Sequence, residues 1–217
     1  MTSDKENSGH ARMDDLDLLS VLSVDQAENL VMHSKDCPLW LYNLCELSPA
    51  VAEALAKHKG DIYFLSLINL SDAGAEAIRK HHGHLKLSGL TSLSEAAAVA
   101  LGKHHGCVDL SGLTNLSDTV AKNLSRNNCD LVLSGLTSLS NAAAIALSNH
   151  NCWLDLSGLT SLSDLAAEAF SKHKGELHLS GLTNLSDSAA KSLSKHNGSI
   201  FLSDVAQAAL CKQNGEL

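Results

Sequence analysis

The feature that most constrains the fold of this chain is an internal repeat. The string Leu-Ser-Gly-Leu-Thr begins at Leu87, Leu110, Leu133, Leu156 and Leu179, at intervals of 23 residues. Counted from Leu85, two residues before the first of these strings, the same period continues backwards through Ile62, Leu39 and, less well, Leu16. Residues 16–199 therefore hold eight units, and residues 200–217 hold a shortened ninth. A fixed period of about 20 to 50 residues is typical of stacked-repeat architectures.

A single unit, residues 85–107, shows what each repeat is expected to form. Residues 85–87 alternate apolar and polar side chains, which predicts a short, half-buried strand. Ser94 is predicted to cap the N-terminus of a helix, and Leu101 ends the apolar stripe of that helix. Gly106 lies where a residue with a left-handed backbone would end the helix. The sequence of each unit therefore predicts a strand, a loop and a helix that ends at the glycine position.

The position of Ser94 is occupied by serine throughout the repeats. The equivalent residues are Ser48, Ser71, Ser117, Ser140, Ser163 and Ser186. A unit of this size cannot bury enough apolar surface to fold alone, so the units must stack. Strands stack about 4.8 Å apart and helices about 8–10 Å apart, and this difference bends the stack. We expect an α/β solenoid with parallel strands on the concave face and short helices on the convex face.

The L-x-L-S-G-L-T-x-L spacing resembles the leucine-rich repeat family, especially its bacterial forms. The resemblance covers about nine tenths of the chain. Where the family usually has Asn or Cys after the strand, this chain has Leu90, Leu113, Leu136, Leu159 and Leu182. The side-chain hydrogen-bond ladder of that turn is therefore expected to be missing. The resemblance implies protein–protein binding through the concave face, without catalysis.

The chain divides into four segments. Residues 1–15 carry no repeat pattern and are expected to form a flexible tail. Residues 16–38 are an irregular N-terminal capping repeat, in which residues 25–28, Asp-Gln-Ala-Glu, resemble a capping box. Regular repeats follow over residues 39–199. In the shortened repeat, residues 200–217, a strand is expected to run directly into a helix over residues 204–212.

Strand residues that alternate with the buried leucines are expected to face the concave surface. One set, the central column, consists of Trp40, Tyr63, Lys86, Asp109, Val132, Asp155, His178 and Phe201. The preceding column consists of Pro38, Asp61, His84, Cys107, Asp130, Trp153, Glu176 and Ser199. These positions vary in chemistry while the framework around them hardly changes, which is typical of a binding surface on a constant scaffold.

Aromatic and acidic residues in these columns predict the binding residues. Five of the seven aromatic residues fall on concave-facing positions, and aromatic side chains are enriched at interface hot spots. We expect a protein or peptide partner, basic in charge, to bind through Trp40, Tyr42, Tyr63, Lys86, Asp109, Asp130, Trp153, Asp155, Glu176, His178 and Phe201. Three of these form an aromatic patch, namely Trp40, Tyr42 and Tyr63. Asp109, Asp130, Trp153, Asp155 and Glu176 form an acidic strip. Alternatively, Trp40 and Tyr42 cover the open N-terminal end and the acids are a solvated face.

A second class of function is a structural role. The shortened last repeat favours a chain that self-associates through its C-terminal end, or one that forms part of a longer array. For self-association, Leu217 is expected to add a final strand pairing at the edge of the sheet. Phe201 belongs to the same end of the chain. Metal binding or pH sensing by the histidines is a third class.

Composition excludes several other functions. A formal charge of −8 is unsuited to nucleic-acid binding, and no run of about 18 apolar residues predicts a membrane span. The polar first residues contain no signal peptide, so we expect a cytoplasmic protein. The six cysteines are then expected to be free thiols: Cys37, Cys45, Cys107, Cys129, Cys152 and Cys211. Neither a phosphate-binding loop nor a zinc-protease or nucleophile motif occurs, so we expect no enzyme activity and no cofactor.

Histidines recur at one position of the repeat. They are His58, His81, His104, His150, His173 and His196, with Asn127 in the remaining unit. A position that accepts His or Asn indicates a structural hydrogen-bonding group near the last helical carbonyls. We expect burial to lower the pKa of these imidazoles below about 6.5, although a dominant helix dipole would raise it.

Two further groups of residues are candidate sites. Zinc accepts His and Cys ligands in fours, and His82, His84, His105 and Cys107 occupy equivalent positions of adjacent units. These ligands straddle a helix end, so we expect no metal there. Cys129 and Cys152 replace the helix-ending glycine in neighbouring units, which predicts backbone strain. A disulfide between them is disfavoured in a reducing compartment.

Overall fold

The computed structural model describes residues 20–214 and confirms an α/β repeat solenoid. Its strands are β1 Leu39–Leu41, β2 Ile62–Phe64, β3 Leu85–Lys86, β4 Val108–Asp109, β5 Leu131–Val132, β6 Leu154–Asp155, β7 Leu177–Leu179 and β8 Ile200–Leu202. They form a single parallel sheet in sequence order. The predicted tail, residues 1–15, lies outside the described residues, as do Leu16 and Leu217.

A helix precedes β1 and another follows each strand. The helices are α1 Val24–Ser34, α2 Pro49–Leu55, α3 Asp72–Ile78, α4 Glu95–Leu101, α5 Asp118–Leu124, α6 Asn141–Leu147, α7 Asp164–Phe170, α8 Asp187–Leu193 and α9 Asp204–Asn214. Each helix packs against the next one along the chain. Parallel neighbouring strands need a crossover connection, and here each crossover is one loop and one short helix.

The pairing register equals the sequence period. Leu85 pairs with Val108, and Val108 pairs with Leu131, so each residue lies beside the one 23 positions later. The leucines that follow the strands are fully buried, among them Leu87 and Leu90. The sheet and the helices therefore enclose one continuous apolar core that runs the length of the solenoid.

The serine positions are helix N-caps, as the sequence predicts. In α4, the Ser94 hydroxyl accepts a hydrogen bond from the Ala97 N–H at 3.0 Å. The same hydroxyl donates to the carboxylate of Asp72, the first residue of the preceding helix. In α7, Ser163 likewise donates to Asn141 Oδ1 at 2.6 Å. Four serines therefore both cap their own helix and join it to the preceding one, namely Ser94, Ser140, Ser163 and Ser186.

Backbone hydrogen bonds satisfy polar groups of the turn after each strand, which lacks the family's usual side-chain hydrogen-bond ladder. The Leu90 N–H donates back to the Leu87 carbonyl at 3.1 Å. Farther along the chain, the Thr183 N–H donates to the carbonyl of Thr160 in the previous repeat at 3.0 Å. Local turns and links between repeats therefore replace the missing side-chain ladder.

The predicted left-handed stop at Gly106 is wrong. The helix ends earlier, at Leu101, and Gly102 caps it with an ordinary helical φ of −65°. Glycine is needed at 106 for close approach, because a Cβ there would lie 2.1 Å from the carbonyl oxygen of Gly83. Among the described non-glycine residues only Lys35 has a positive φ, so the backbone strain predicted for Cys129 and Cys152 is absent.

The capping helix begins earlier than the sequence motif indicates. Ser23, not Asp25, is the N-cap of α1, and its hydroxyl accepts from the Gln26 N–H at 3.2 Å. The Gln26 side chain accepts from the Ser23 N–H in return at 2.8 Å, which completes a capping box. At the other end, α9 begins at Asp204 as predicted and continues to Asn214 rather than to Lys212.

Ser140→Ala tests the contribution of the caps. The substitution removes the acceptor for the Ala143 N–H and the donor to Asp118. We expect the free energy of unfolding to fall by about 1–2 kcal/mol, measured by urea unfolding followed by circular dichroism. Ser138→Ala, at an exposed position of the same loop, is the control and should change it by less than about 0.5 kcal/mol. An equal loss in both variants would contradict the capping role.

Candidate binding surface on the strand face

The central column lies in one row on the exposed side of the sheet. Trp40 pairs with Tyr63 and Tyr63 with Lys86, and the row continues through His178 to Phe201. The two ends of the row are the most exposed, with Trp40 at 42% and Phe201 at 48% exposure. The residues between them are half-buried by their neighbours. The 23-residue spacing in the sequence therefore predicts correctly that the central column forms one row on the sheet.

The predicted aromatic patch forms at the N-terminal end of this row. The rings of Trp40 and Tyr63 stack with centroids 4.1 Å apart, and those of Trp40 and Tyr42 stack at 5.7 Å. The Tyr63 hydroxyl donates to Asp61 at 3.4 Å. Partial burial, followed by the charge of Asp61, raises the pKa of Tyr63 above its usual value. The patch remains accessible, because Tyr42 is 46% exposed.

The acidic residues in the middle of the row have partners within the chain. Asp109 forms an ion pair with Lys86 at 3.2 Å, and it also accepts a hydrogen bond from the Ser111 N–H at 2.9 Å. Asp155 accepts from the Ser157 N–H at 2.8 Å. Between these two aspartates the central column holds Val132. The acidic strip is therefore interrupted and partly neutralised, and its carboxylates also stabilise the turns after the strands.

A second aromatic cluster, which sequence reasoning missed, lies towards the C-terminal end. The imidazole of His178 meets the Trp153 ring edge-on at 5.2 Å and the Phe201 ring at 4.3 Å. Its Nε2 contacts Glu176 at 2.8 Å. The sequence assigned Trp153 and Glu176 to the acidic strip. The signal for this cluster was present in the adjacent positions of His178 and Phe201 in the central column.

Side chains of the preceding column connect one repeat to the next. Asp61 accepts from the His84 N–H at 3.0 Å, and His84 Nδ1 accepts from the Cys107 N–H at 3.1 Å. Asp130 accepts from the Trp153 N–H at 3.3 Å. These residues therefore support the backbone at the edge of the binding surface. Asp130 has this structural role in addition to its charge.

The four candidate metal ligands from the sequence do not form one cluster; they are His82, His84, His105 and Cys107. The rings of His82 and His105 stack on each other at 6.4 Å. Among the residues that the structure describes, the potential ligands that come together in a group of three are His84, Cys107 and Cys129. Burial and the neighbouring Cys129 thiol raise the pKa of Cys107 to about 12.

The recurring histidines form a ladder on the inside of the solenoid, in which all but the half-buried His196 are buried. His81 and His150 are 0% exposed, and Asn127 is 2% exposed. The His81 and His104 rings stack at 6.2 Å. The Nε2 of His104 contacts the Gly83 carbonyl at 2.9 Å. Asn127 donates its amide to three carbonyls of the preceding repeat. His104 and Asn127 therefore have the hydrogen-bonding role that the sequence predicts. The ring nitrogens of three other histidines are buried without a hydrogen-bond partner, namely those of His81, His150 and His173.

Burial lowers the pKa of the five buried imidazoles of the ladder. Loss of solvation is the main cause for His58, His81, His104, His150 and His173. For His81 the pKa falls to about 4, because the charges of its stacked neighbours add to the effect of burial. The direction agrees with the burial alternative and not with a dominant helix dipole.

Comparison with known protein families gives no matching family model, and a search of the curated proteins gives no significant match.

Within residues 20–214, no helix has both the length and the apolar character needed to cross a membrane. All six cysteines are free thiols.

The histidine ladder predicts acid-sensitive stability. The folded pKa of the five buried histidines lies below the unfolded value of about 6.5, so the unfolded chain binds more protons as the pH falls through that value. We expect the urea midpoint to be nearly constant above about pH 7 and to decrease towards pH 5.5, above the range in which most carboxylates titrate. A midpoint that rises over the same interval would contradict the assignment.

His81→Asn provides the matched variant. Asparagine occupies the same position at Asn127, where its amide is fully bonded, so the variant should fold. Removing one titrating group should reduce the dependence of unfolding free energy on pH by up to about 1.4 kcal/mol per pH unit. The comparison is made by urea unfolding at several pH values. His82→Asn, which changes an exposed imidazole, should leave that dependence unaltered.

Proposed function

We propose that this chain is a non-catalytic scaffold that binds a protein or peptide partner along its concave face. The observation that carries the proposal is the distribution of aromatic side chains. Phe64 and Phe170 are completely buried in the core, whereas Trp40, Tyr42 and Phe201 are close to half exposed on one face. Exposing large aromatic rings in this way is typical of interaction surfaces.

The spacing of the aromatic groups suits an extended segment. From β2 to β6 the sheet advances by four strand spacings of about 4.8 Å, or roughly 19 Å. An extended peptide covers that interval with about six residues. The proposed partner therefore crosses the strands, with one apolar anchor on the Trp40 patch and another on the Trp153–His178–Phe201 cluster.

The charge of the face favours a basic segment between those anchors. Asp109 and Asp155 flank Val132 in the central column, and Lys86 neutralises only the first of them. The whole chain carries a formal charge of −8, which also attracts a cationic partner during encounter. The proposed interaction combines aromatic anchoring with electrostatic attraction in the middle of the face.

The repeat pattern supports, as part of the same proposal, membership of the leucine-rich repeat family. The consensus L-x-L-S-G-L-T-x-L and the strand-loop-helix unit favour it, although leucine replaces the family's usual Asn or Cys. The free thiols favour a cytoplasmic location. A binding role without catalysis follows from that family resemblance.

Peptide selection followed by variant binding tests the proposal. A random peptide library is selected on the immobilised protein, and the affinity of the selected peptides is then measured. We expect lysine- or arginine-containing peptides with apolar ends, and a loss of more than about tenfold in affinity for Trp40→Ala or Phe201→Ala. Ile145→Ala is the control, because Ile145 is 53% exposed but lies on helix α6. Equal effects of all three substitutions would contradict the proposal.

The acidic residues are tested separately. Asp109→Asn together with Asp155→Asn removes two charges and keeps a side-chain oxygen for the Ser111 and Ser157 N–H groups. We expect weaker binding of the basic peptides and a smaller dependence of affinity on salt, because screening acts on the lost attraction. Unchanged affinity and salt dependence would remove the electrostatic part of the proposal.

Self-association through the C-terminal end is the alternative function. Strand β8 pairs only with β7 among the described residues, and near that free edge Phe201 and Val205 are 48% and 57% exposed. Parallel or antiparallel addition of another chain would cover both side chains. In sedimentation experiments, dimers that disappear with Val205→Ala but persist with Ile145→Ala would favour this alternative. A monomer at all concentrations favours the binding scaffold.

A further inference from the structure

Three soft metal ligands converge at the edge of the sheet, outside the proposed aromatic anchors. His84 lies just before β3, Cys107 just before β4, and Cys129 two residues before β5. One imidazole nitrogen and the two sulphur atoms all lie within 4.8 Å of one another. The three side chains come from three consecutive repeats, so the register of the solenoid holds them together.

The repeat framework does not explain the thiol at Cys129. The equivalent residues in the other regular units are Gly60, Gly83, Gly106, Cys152, Gly175 and Gly198. Glycine suits the position because a Cβ at 106 would lie 2.1 Å from the carbonyl oxygen of Gly83 in the preceding repeat. Cys129 is nevertheless fixed in place, since its N–H donates to Asn127 Oδ1 at 2.8 Å.

The thiol of Cys152, in the same column, points to a different partner. Its sulphur donates to the Asn128 carbonyl at 3.1 Å, and it does not belong to the group of three ligands. The two cysteines that replace glycine therefore have different surroundings. Only the first faces an imidazole and a second thiol.

Backbone contacts also position the other two ligands. The carboxylate of Asp61 accepts from the His84 N–H at 3.0 Å, and the His84 ring accepts from the Cys107 N–H at 3.1 Å. The bond to Asp61 supports the backbone of His84, whereas the bond from the Cys107 N–H occupies the lone pair of the ring and is replaced when that nitrogen binds an ion. The His84 ring is exposed and the two thiols are half-buried, so an ion can reach the site from solvent.

We infer that His84, Cys107 and Cys129 form a binding site for Zn²⁺ or a similar thiophilic divalent cation. Sulphur and imidazole ligands are those that zinc prefers. Zinc–ligand bonds of about 2.0–2.3 Å place tetrahedral ligand atoms roughly 3.5 Å apart, so small side-chain rotations close the group around an ion. The two thiols lose their protons to solvent and two sulphur–metal bonds form. The neutral His84 ring gives up its hydrogen bond from the Cys107 N–H and donates that lone pair to the metal.

The inferred site differs from the set His82, His84, His105 and Cys107, for which the sequence predicts no metal. It shares only His84 and Cys107 with that set. With three protein ligands, one tetrahedral position stays open for water or for a donor atom of another molecule. The inference is independent of the proposed peptide-binding function.

Cobalt titration tests the site. Reduced, metal-free full-length protein is titrated with Co²⁺, whose bonds to thiolate give a sulphur-to-cobalt charge-transfer absorption, and Zn²⁺ is then added as a competitor. We expect one equivalent of Co²⁺ to produce the absorption and Zn²⁺ to remove it. Cys129→Gly and Cys107→Ser should each lower the affinity for Co²⁺ by more than about tenfold, a loss at least as large as that for a supporting group.

Cys152→Gly is the matched control and should keep the full absorption. Both glycine variants should fold, because glycine occupies this position in five other repeats, and circular dichroism checks it. The inference is overturned if the parent protein gives no thiolate absorption, or if Cys129→Gly retains it. It is also overturned if Cys152→Gly loses it equally, which would indicate adventitious binding by scattered thiols. A Cys107–Cys129 disulfide detected by mass spectrometry, in protein that binds no Co²⁺ after reduction, would likewise overturn it.

Discussion

Lateral hydrogen bonding between strands, in a register of 23 residues, is the interaction on which the rest of the structure depends. Each strand is only two or three residues long, and such a strand has no stability by itself. The Leu85 N–H donates to the Cys107 carbonyl at 2.9 Å, and Leu87 donates to Asp109 at 2.8 Å. A slip of one residue would turn Asp109 into the core and Leu110 towards solvent. The buried leucines therefore fix the register, and the register aligns every other column.

Much of the fold was predictable because it is local and repeated. The strand at residues 85–87 follows from alternation, and the Ser94 cap follows from a residue type that recurs at one position. The role of Gly106 was misjudged because it depends on a carbonyl of the previous repeat, which is distant in sequence. The start of α1 was misplaced because Ser23 and Asp25 both suit a helix N-terminus, and only the reciprocal bond with Gln26 distinguishes them.

The candidate site was predictable as a set of columns but not as a set of contacts. Pairing places Trp40 beside Tyr63, and the spacing alone indicates this. The spacing does not indicate that Lys86 reaches Asp109, or that Trp153 contacts His178. Those contacts depend on side-chain rotamers, which pattern reasoning does not determine. The role of Cys129 was not predictable for the same reason. The repeat spacing assigns a thiol to a set of equivalent positions and does not show in which direction its side chain points.

Asn127 divides the histidine ladder into two groups of three stacked imidazoles. His81 experiences the charges of His58 and His104, and His173 experiences those of His150 and His196. The amide between these groups carries no charge at any pH and spaces His104 from His150 by two repeats. Repulsion within one group is therefore largely isolated from the other. In acid, repulsion builds up mainly between neighbouring rings of one group, while both groups share one continuous apolar core.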